Sequence, residues 1–273
     1  MPLGGSVAGY RVVPSYTGPG DVVSGAYQWG GLRAYSGASI GSNAVRLRES
    51  GGNTEQDFKT IASGSLDLAA ITTFKGANQI FVVKLYDQTG NGRDFSQAVA
   101  ANQPEFVLNT IGSLPAMKFV SASASGFSRT QSGNLSQPYT LVCVTERTGS
   151  ATYQSIFNCN LIEADFGNVA NKLEFYSNTP FVSITSVTDN AFHGIIFLGN
   201  GASSLIHADG TDGTAGNAGS TAPQNADQWL IGQYAGTIQK FDGFICEAGF
   251  WTSGFSTTDR TSMTTNQKNY WGY

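Results

Sequence analysis

Carboxylates are the side chains in this sequence best suited to chemistry. Glu163, Asp165, Glu174, Asp189 and Glu247 lie in the second half of the 273 residues. Two such acids facing each other across a sugar can cleave a glycosidic bond, one as general acid and the other as nucleophile or base. Each also reads as a solvated acid at a turn or strand edge, and sequence spacing does not set the distance between them. Asp87, Gln88, Asn91 and Asp94 offer the oxygen ligands that a hard cation such as Ca2+ takes. Their spacing is not that of a calcium loop, and the alternative is that they bond the backbone of their own turn. His193 and His207 have no recognisable Ser or Cys partner, so no hydrolase triad is visible. Trp29, Trp229, Tyr234 and Trp251 could stack on a sugar ring or fill a core; Trp229 and Tyr234 are the residues proposed here for glycan contact.

The elements that would position these groups are mostly strands. Residues 80–86 form an apolar run broken only by Lys84, which predicts a buried strand. The run stops at the turn Asp87-Gln88-Thr89-Gly90-Asn91-Gly92, where the glycines allow positive φ and reverse the chain. Further strands are predicted at 45–49, 54–58, 104–108, 116–120, 139–146, 154–159, 172–176, 181–187, 193–198, 204–208, 228–231 and 243–251, separated by Gly, Asn and Ser turns. Residues 27–36 carry a weak helical pattern interrupted by Gly30-Gly31. One short helix is predicted at 65–74 with Ser65 as cap, and a second from Ser256 to about Tyr270 with Asp259 at its start. Residues 211–225 are almost free of large apolar side chains and read as a long loop or flexible tip. Residues 1–26 read as an irregular arm, and 27–273 as one domain.

Composition narrows the function. Charged residues make up 12% of the chain, against about 25% in an average globular domain, with 34 glycines and 12% aromatics. Such a chain is turn-rich and has little charge for a free surface, which suits a protein packed against neighbours; carbohydrate-binding modules share the pattern. The net charge of −4 and the scattered Lys and Arg argue against binding nucleic acid through its phosphates. No apolar run reaches the roughly 18 residues of a membrane helix, and the first ten residues lack the basic and apolar regions of a signal peptide. Cys143, Cys159 and Cys246 show no metal-ligand spacing and are expected to be buried thiols. No metal and no cofactor are expected beyond the Ca2+ alternative at the turn.

Tyr86-Asp87-Gln88-Thr89-Gly90-Asn91-Gly92 resembles the Tyr-Asp-Gln-Ser-Gly-Asn-Gly signature of the arabinofuranosidase B catalytic domain. Gly18-Pro19-Gly20-Asp21 and Leu32-Arg33-Ala34-Tyr35-Ser36 are similar to that family's Gly-Pro-Cys-Asp and Arg-Ala-Leu-Tyr-Ser segments. The likeness is specific over roughly residues 18–97. It implies an all-β, concanavalin-like jelly-roll β-sandwich, related to laminin-G-like modules, with one or two short helices. It also implies a glycosidase site, but the family's nucleophile Glu has no counterpart in residues 181–190 and its general-acid Asp none in 230–235. Gly20 stands where the family has a disulfide cysteine, and Asn158-Cys159-Asn160 near where it has adjacent cysteines, a loss that fits assembly in a reducing cytoplasm. Such domains also occur in phage and prophage virion proteins. The expected function is therefore a non-catalytic virion component, a capsid decoration, fibre or tail protein. It would be assembled in the host cytoplasm without a signal peptide, be oligomeric or bound in a lattice to other virion subunits, and contact glycans. An arabinofuranosidase-like hydrolase and a carbohydrate-binding module are the alternatives.

Overall fold

The computed structural model describes residues 16–149, 152–234 and 239–273. Among the described residues the chain is a β-sandwich of antiparallel strands with three α-helices. One sheet runs, in spatial order, β3 (Glu55–Lys59), β2 (Asn43–Glu49), β4 (Ile80–Leu85), β5 (Phe95–Ser96), β8 (Phe127–Thr130), β17 (Gln228–Ile231), β10 (Gln154–Cys159), β11 (Ile162–Phe166), β12 (Leu173–Ser177) and β13 (Phe181–Ile184). In the other, β18 (Gly243–Trp251) lies between β9 (Tyr139–Arg147) on one side and β7 (Leu114–Phe119) and β1 (Gln28–Gly31) on the other. That sheet continues to β6 (Glu105–Ile111) beyond β7, and to β14 (His193–Gly199), β15 (Leu205–Ala208) and β16 (Thr211–Asp212) beyond β9. A Phe81–Glu105 pairing links the two sheets.

The core lies between them. Leu47, Val82, Phe127, Ile231, Phe166 and Phe175 of one sheet meet Leu141, Ile195, Phe197, Ile245 and Phe250 of the other. Alternation along β9 sends Cys143 inward and Val142 outward, where Val142 joins Trp29, Ile196, Trp251, Phe255 and Met263 in a second cluster. That cluster is roofed by α3 (Thr257–Trp271), whose Ser256 and Asp259 form a reciprocal cap.

Several expectations differ from the structure. Pro19–Val22 forms a short helix, α1, with Asp21 Oδ2 accepting from Gly18 N at 2.8 Å, so the described end of the supposed arm is ordered; residues 1–15 lie outside the described residues. Residues 28–31 are a strand, because pairing with β18 buries Trp29 and lets Gly30 and Gly31 approach Leu85 and Glu247 closely. In α2 (Leu68–Lys75) the cap is Asp67, two residues after Ser65. The loop 211–225 is pinned, since Ser177 N donates to Ala218 O, Thr221 N to Ser177 O, and Arg260 holds Asp212. Three strands, β5, β8 and β11, occupy segments with no predicted element, and β16 opens the predicted loop.

A buried ion pair ties the beginning and end of the domain together. Arg33 Nε and Nη2 donate to Glu247 at 2.6 and 2.9 Å, while Gln267 Nε2 and Trp271 Nε1 of α3 donate to the same carboxylate at 3.0 and 2.8 Å. Both charges are fully buried. Removing one partner from such a pair strands the other charge. Glu247→Gln is expected to lower the unfolding free energy by about 3–5 kcal/mol in urea titrations, whereas Trp271→Phe, which deletes one donor, is expected to cost about 1 kcal/mol.

Candidate acidic pocket

The strand β11 carries the chemistry. Cys159 pairs with Ile162 across a two-residue turn in which Asn160 has φ 55°, a conformation Asn tolerates better than most residues. Ile162, Ala164 and Phe166 then point into the core, so Glu163 and Asp165 point to the opposite face. Register places Glu163 beside Tyr176 and Asn158, and Asp165 beside Glu174. On β13, Phe181 lies opposite Tyr176 with ring centroids 4.9 Å apart. Directly opposed residues on a sheet face have Cβ atoms about 5 Å apart, so three carboxyl groups share one small area.

Glu174 is committed. Its Oε2 accepts from the Tyr176 hydroxyl and its Oε1 from Lys172 Nζ, both at very short range. Asp165 is 1% exposed and, with both acids ionised, has no donor on either oxygen. Burial pushes its carboxyl well above the ordinary range, and the Glu163 and Glu174 charges push the same way. Burial, with Glu174 adding to it, pushes Glu163 up to about 7 despite a hydrogen bond with Asp165 that works in the other direction. Near neutral pH a proton held between Glu163 and Asp165 supplies the donor that Asp165 otherwise lacks, and the two titrate as a pair.

Of the three acids only Glu163 lines a cavity, one of about 160 Å3 whose other walls are Asn160, Leu161, Tyr176, Asn178, Thr179 and Tyr234. Leu161 and Phe181 at this end of the sheet are 50% and 44% exposed, which gives the site an apolar rim. Tyr234 stands in the segment after β17, which is fixed along β10 by Gly232 N to Ile156 O at 3.0 Å and Ser155 N to Gln239 O at 2.9 Å. The turn after β12, through Asn178 and Thr179, and Tyr234 after β17 thus flank one pocket.

The remaining candidates are placed elsewhere. Trp229 does not face a ligand: it is 2% exposed, its ring lies 5.0 Å from Phe250, and its indole N–H donates to Gln131. Trp29 and Trp251 are buried beneath α3 and α1. Asp87 accepts from Trp29 N, Thr89 N, Thr89 Oγ1 and Arg93 N; Gln88 bridges Gly31, Arg33 and Tyr35; Asn91 donates to Tyr27 O; Asp94 receives Asp87 N and Lys84. Asp87, Gln88 and Asn91 hold the turn to β1 and its flanking residues, and Asp94 ties the turn to itself and to β4. Among the described residues no three His, Cys, Asp or Glu side chains are arranged to hold a metal ion. Asp189 pairs with Arg147.

One arrangement was not visible from the sequence. His207 links Asp212 Oδ1 at 2.7 Å to Thr264 Oγ1 at 3.0 Å, the order of groups found in a hydrolase triad. Thr264 is 2% exposed, and Arg260 also holds Asp212, so this relay anchors α3 to β15 and β16 and reaches no substrate.

No protein-family model matches the sequence, and no curated protein matches it. Solved structures do match the fold. A GH54 α-L-arabinofuranosidase soaked with a cyclic sulfate inhibitor superposes with a TM-score of 0.69 over 92% of this chain and 64% of that chain, at 14% identity. An arabinofuranosidase complexed with arabinofuranosyl-α-1,2-xylobiose gives 0.65 over the same shares at 15% identity. Domain 4 of AbnA, a GH43 extracellular arabinanase from Geobacillus stearothermophilus, gives 0.51 at 13% identity, over 65% of this chain and 91% of that chain. This chain thus spans about two thirds of the arabinofuranosidase chains it matches, and shares with all three a β-sandwich found in glycoside hydrolases.

The pocket has a pH signature. Glu163 binds its proton more tightly folded, near 7, than in an unfolded chain, near 4.3. Its contribution to stability is therefore complete below about pH 4 and is lost as pH rises through 7. Glu163→Gln, which cannot ionise, is expected to gain in melting temperature over the native chain between pH 5 and 8, read by calorimetry across that range.

Proposed function

We propose that the chain is a non-hydrolytic carbohydrate-binding β-sandwich that holds one sugar ring in the pocket of Glu163, Tyr176 and Tyr234. The supporting observation is the division of labour among the three acids: Glu163 reaches the cavity, while Asp165 is sealed behind it and Glu174 is held by Tyr176 and Lys172. Glycoside hydrolysis needs two carboxyl groups on opposite sides of the scissile bond, and here a single one faces the ligand space. What is left suits binding. Asn and Thr side chains bond sugar hydroxyls in both directions, tyrosine rings take the apolar face of a sugar, and a cavity of 160 Å3 holds about five water volumes, room for a ring rather than an oligosaccharide.

As the setting for this activity we propose a virion, with the domain packed against other subunits as a decoration, fibre or tail component. Low charge and three buried free thiols support assembly in a reducing cytoplasm. Detection of the chain in purified particles, and its absence from the washed supernatant, is the expected outcome of that assignment.

A hydrolase reading retains one observation in its favour, because a carboxyl near 7 is what a general acid requires. The purified chain is expected to release no nitrophenol from an aryl α-L-arabinofuranoside, while a glycan found to bind in a screen is held about tenfold less tightly by Tyr234→Ala, equivalent to about 1.4 kcal/mol of lost stacking. Turnover abolished by Glu163→Gln would establish the enzyme instead.

A further inference from the structure

Taking the sugar pocket as given, we propose that the sugar it selects carries a free amine, an amino sugar whose ammonium group docks on Glu163. Charge balance in the row carries this. Glu163, Asp165 and Glu174 bring three carboxyl groups to one face, and Lys172 is the cation that pairs with any of them. Glu163 Oε1 and both Asp165 oxygens are buried without a donor, Asp165 being 1% exposed. A buried acid left this way either keeps a proton or takes a cation.

Among the described residues no Lys, Arg or His lines the cavity. Its walls are two amides, one threonine, one leucine and two tyrosines beside the Glu163 carboxyl, so a positive charge brought by the ligand is what can take the place of the proton that Glu163 shares with Asp165. The ammonium of an amino sugar brings three donors; Glu163 and the neighbouring side-chain oxygens of Asn160, Asn178 and Thr179 are acceptors along the same wall. The faces of Tyr176 and Tyr234 favour a cation over a neutral group of the same size. The dimensions exclude a folded partner and suit one ring. An N-acetylated amine would present no charge and a larger substituent to a cavity this small.

The groups that face Glu163 fix how binding responds to pH. Asp165 and Glu174 lie on its own and the adjoining strand, Tyr176 and Lys172 on or beside β12, and Tyr234 on the segment after β17. Of the acids, Glu163 is the one at the cavity wall, titrating near 7, and the ammonium competes with its proton. Lowering the pH from 7 to 6 protonates the Glu163–Asp165 pair further, so affinity for the amine is expected to be severalfold lower at pH 6.

Calorimetric titration with a glucosamine dimer, its N-acetylated form and a glucose dimer tests this. The amine is expected to bind at least tenfold more tightly than either neutral sugar at pH 7 and to release protons into the buffer on binding at pH 6. Glu163→Gln should remove that preference, and Tyr234→Ala should weaken all three sugars without changing their ranking. Glu55→Gln, an exposed acid on β3 far along the sheet, should change nothing; equal loss in that variant would mean that net charge alone attracts the amine and would overturn the proposal. Equal binding of the three sugars by the native chain would also overturn it while leaving the sugar pocket in place. Absence of binding by all three, with Tyr234→Ala still weakening some other glycan, would assign the pocket to a neutral sugar.

Discussion

The Arg33–Glu247 pair is the constraint on which the domain's closure depends. Glu247 sits on β18, the long strand that borders β1 and β9. Arg33 follows β1, and the donors Gln267 and Trp271 belong to α3. The carboxylate therefore has four donors from two distant parts of the chain. Ion pairs of this kind add little net stability over an apolar substitute, but they penalise any register that leaves either charge alone. The signature turn belongs to the same network: Gln88 Nε2 donates to Gly31 O and Arg33 O, at 2.9 and 3.0 Å, so the reversal after β4 and the salt bridge position the same stretch of backbone.

That closure consumes the outer face of the second sheet. Trp29 and Trp251 are sealed there beneath Met263 of α3, and the Thr264–His207–Asp212 relay sits at its edge. The proposed sugar pocket lies on the first sheet, where β11 and β12 meet Tyr234 after β17. The two histidines, for which the sequence offered no nucleophile partner, are absorbed by the scaffold: His193 lies between Asp209 and the Thr188 carbonyl.

Much of this was legible in the sequence. The strands 228–231 and 243–251 and the terminal helix begin where their apolar runs and the Ser256–Asp259 cap place them, and the architecture is the jelly-roll sandwich that the turn motif implied. β11 was not legible, although Leu161-Ile162-Glu163-Ala164-Asp165-Phe166 alternates apolar and acidic residues with the period of a strand. Two acids on so short a run read as solvated, and what buries them comes from Tyr176, Lys172 and residues after β17, all supplied by tertiary contact. Trp229 failed for a different reason. Gln228-Trp229-Leu230-Ile231 is apolar at three successive positions, so its sequence does not say which face is the core. Tyr234 lies beyond the strand, where its half-buried ring is free to line the cavity.

The acid row is the reason for proposing that this sandwich holds a sugar and does not cut one. Two carboxyl groups across a scissile bond must take opposite roles, one protonated and one ionised, and each must reach the ligand. In the row of Glu163, Asp165 and Glu174 the roles are separated by depth instead. Glu163 is the only one of the three at the cavity, its proton is shared inward with Asp165, and Glu174 spends both oxygens on Tyr176 and Lys172. Ionising the inner acid to serve as a nucleophile would leave a buried negative charge beside two others, which burial and like-charge repulsion both oppose. The same opposition makes the row responsive to a cation delivered from outside, since a positive charge at Glu163 relieves the repulsion that holds the proton in place.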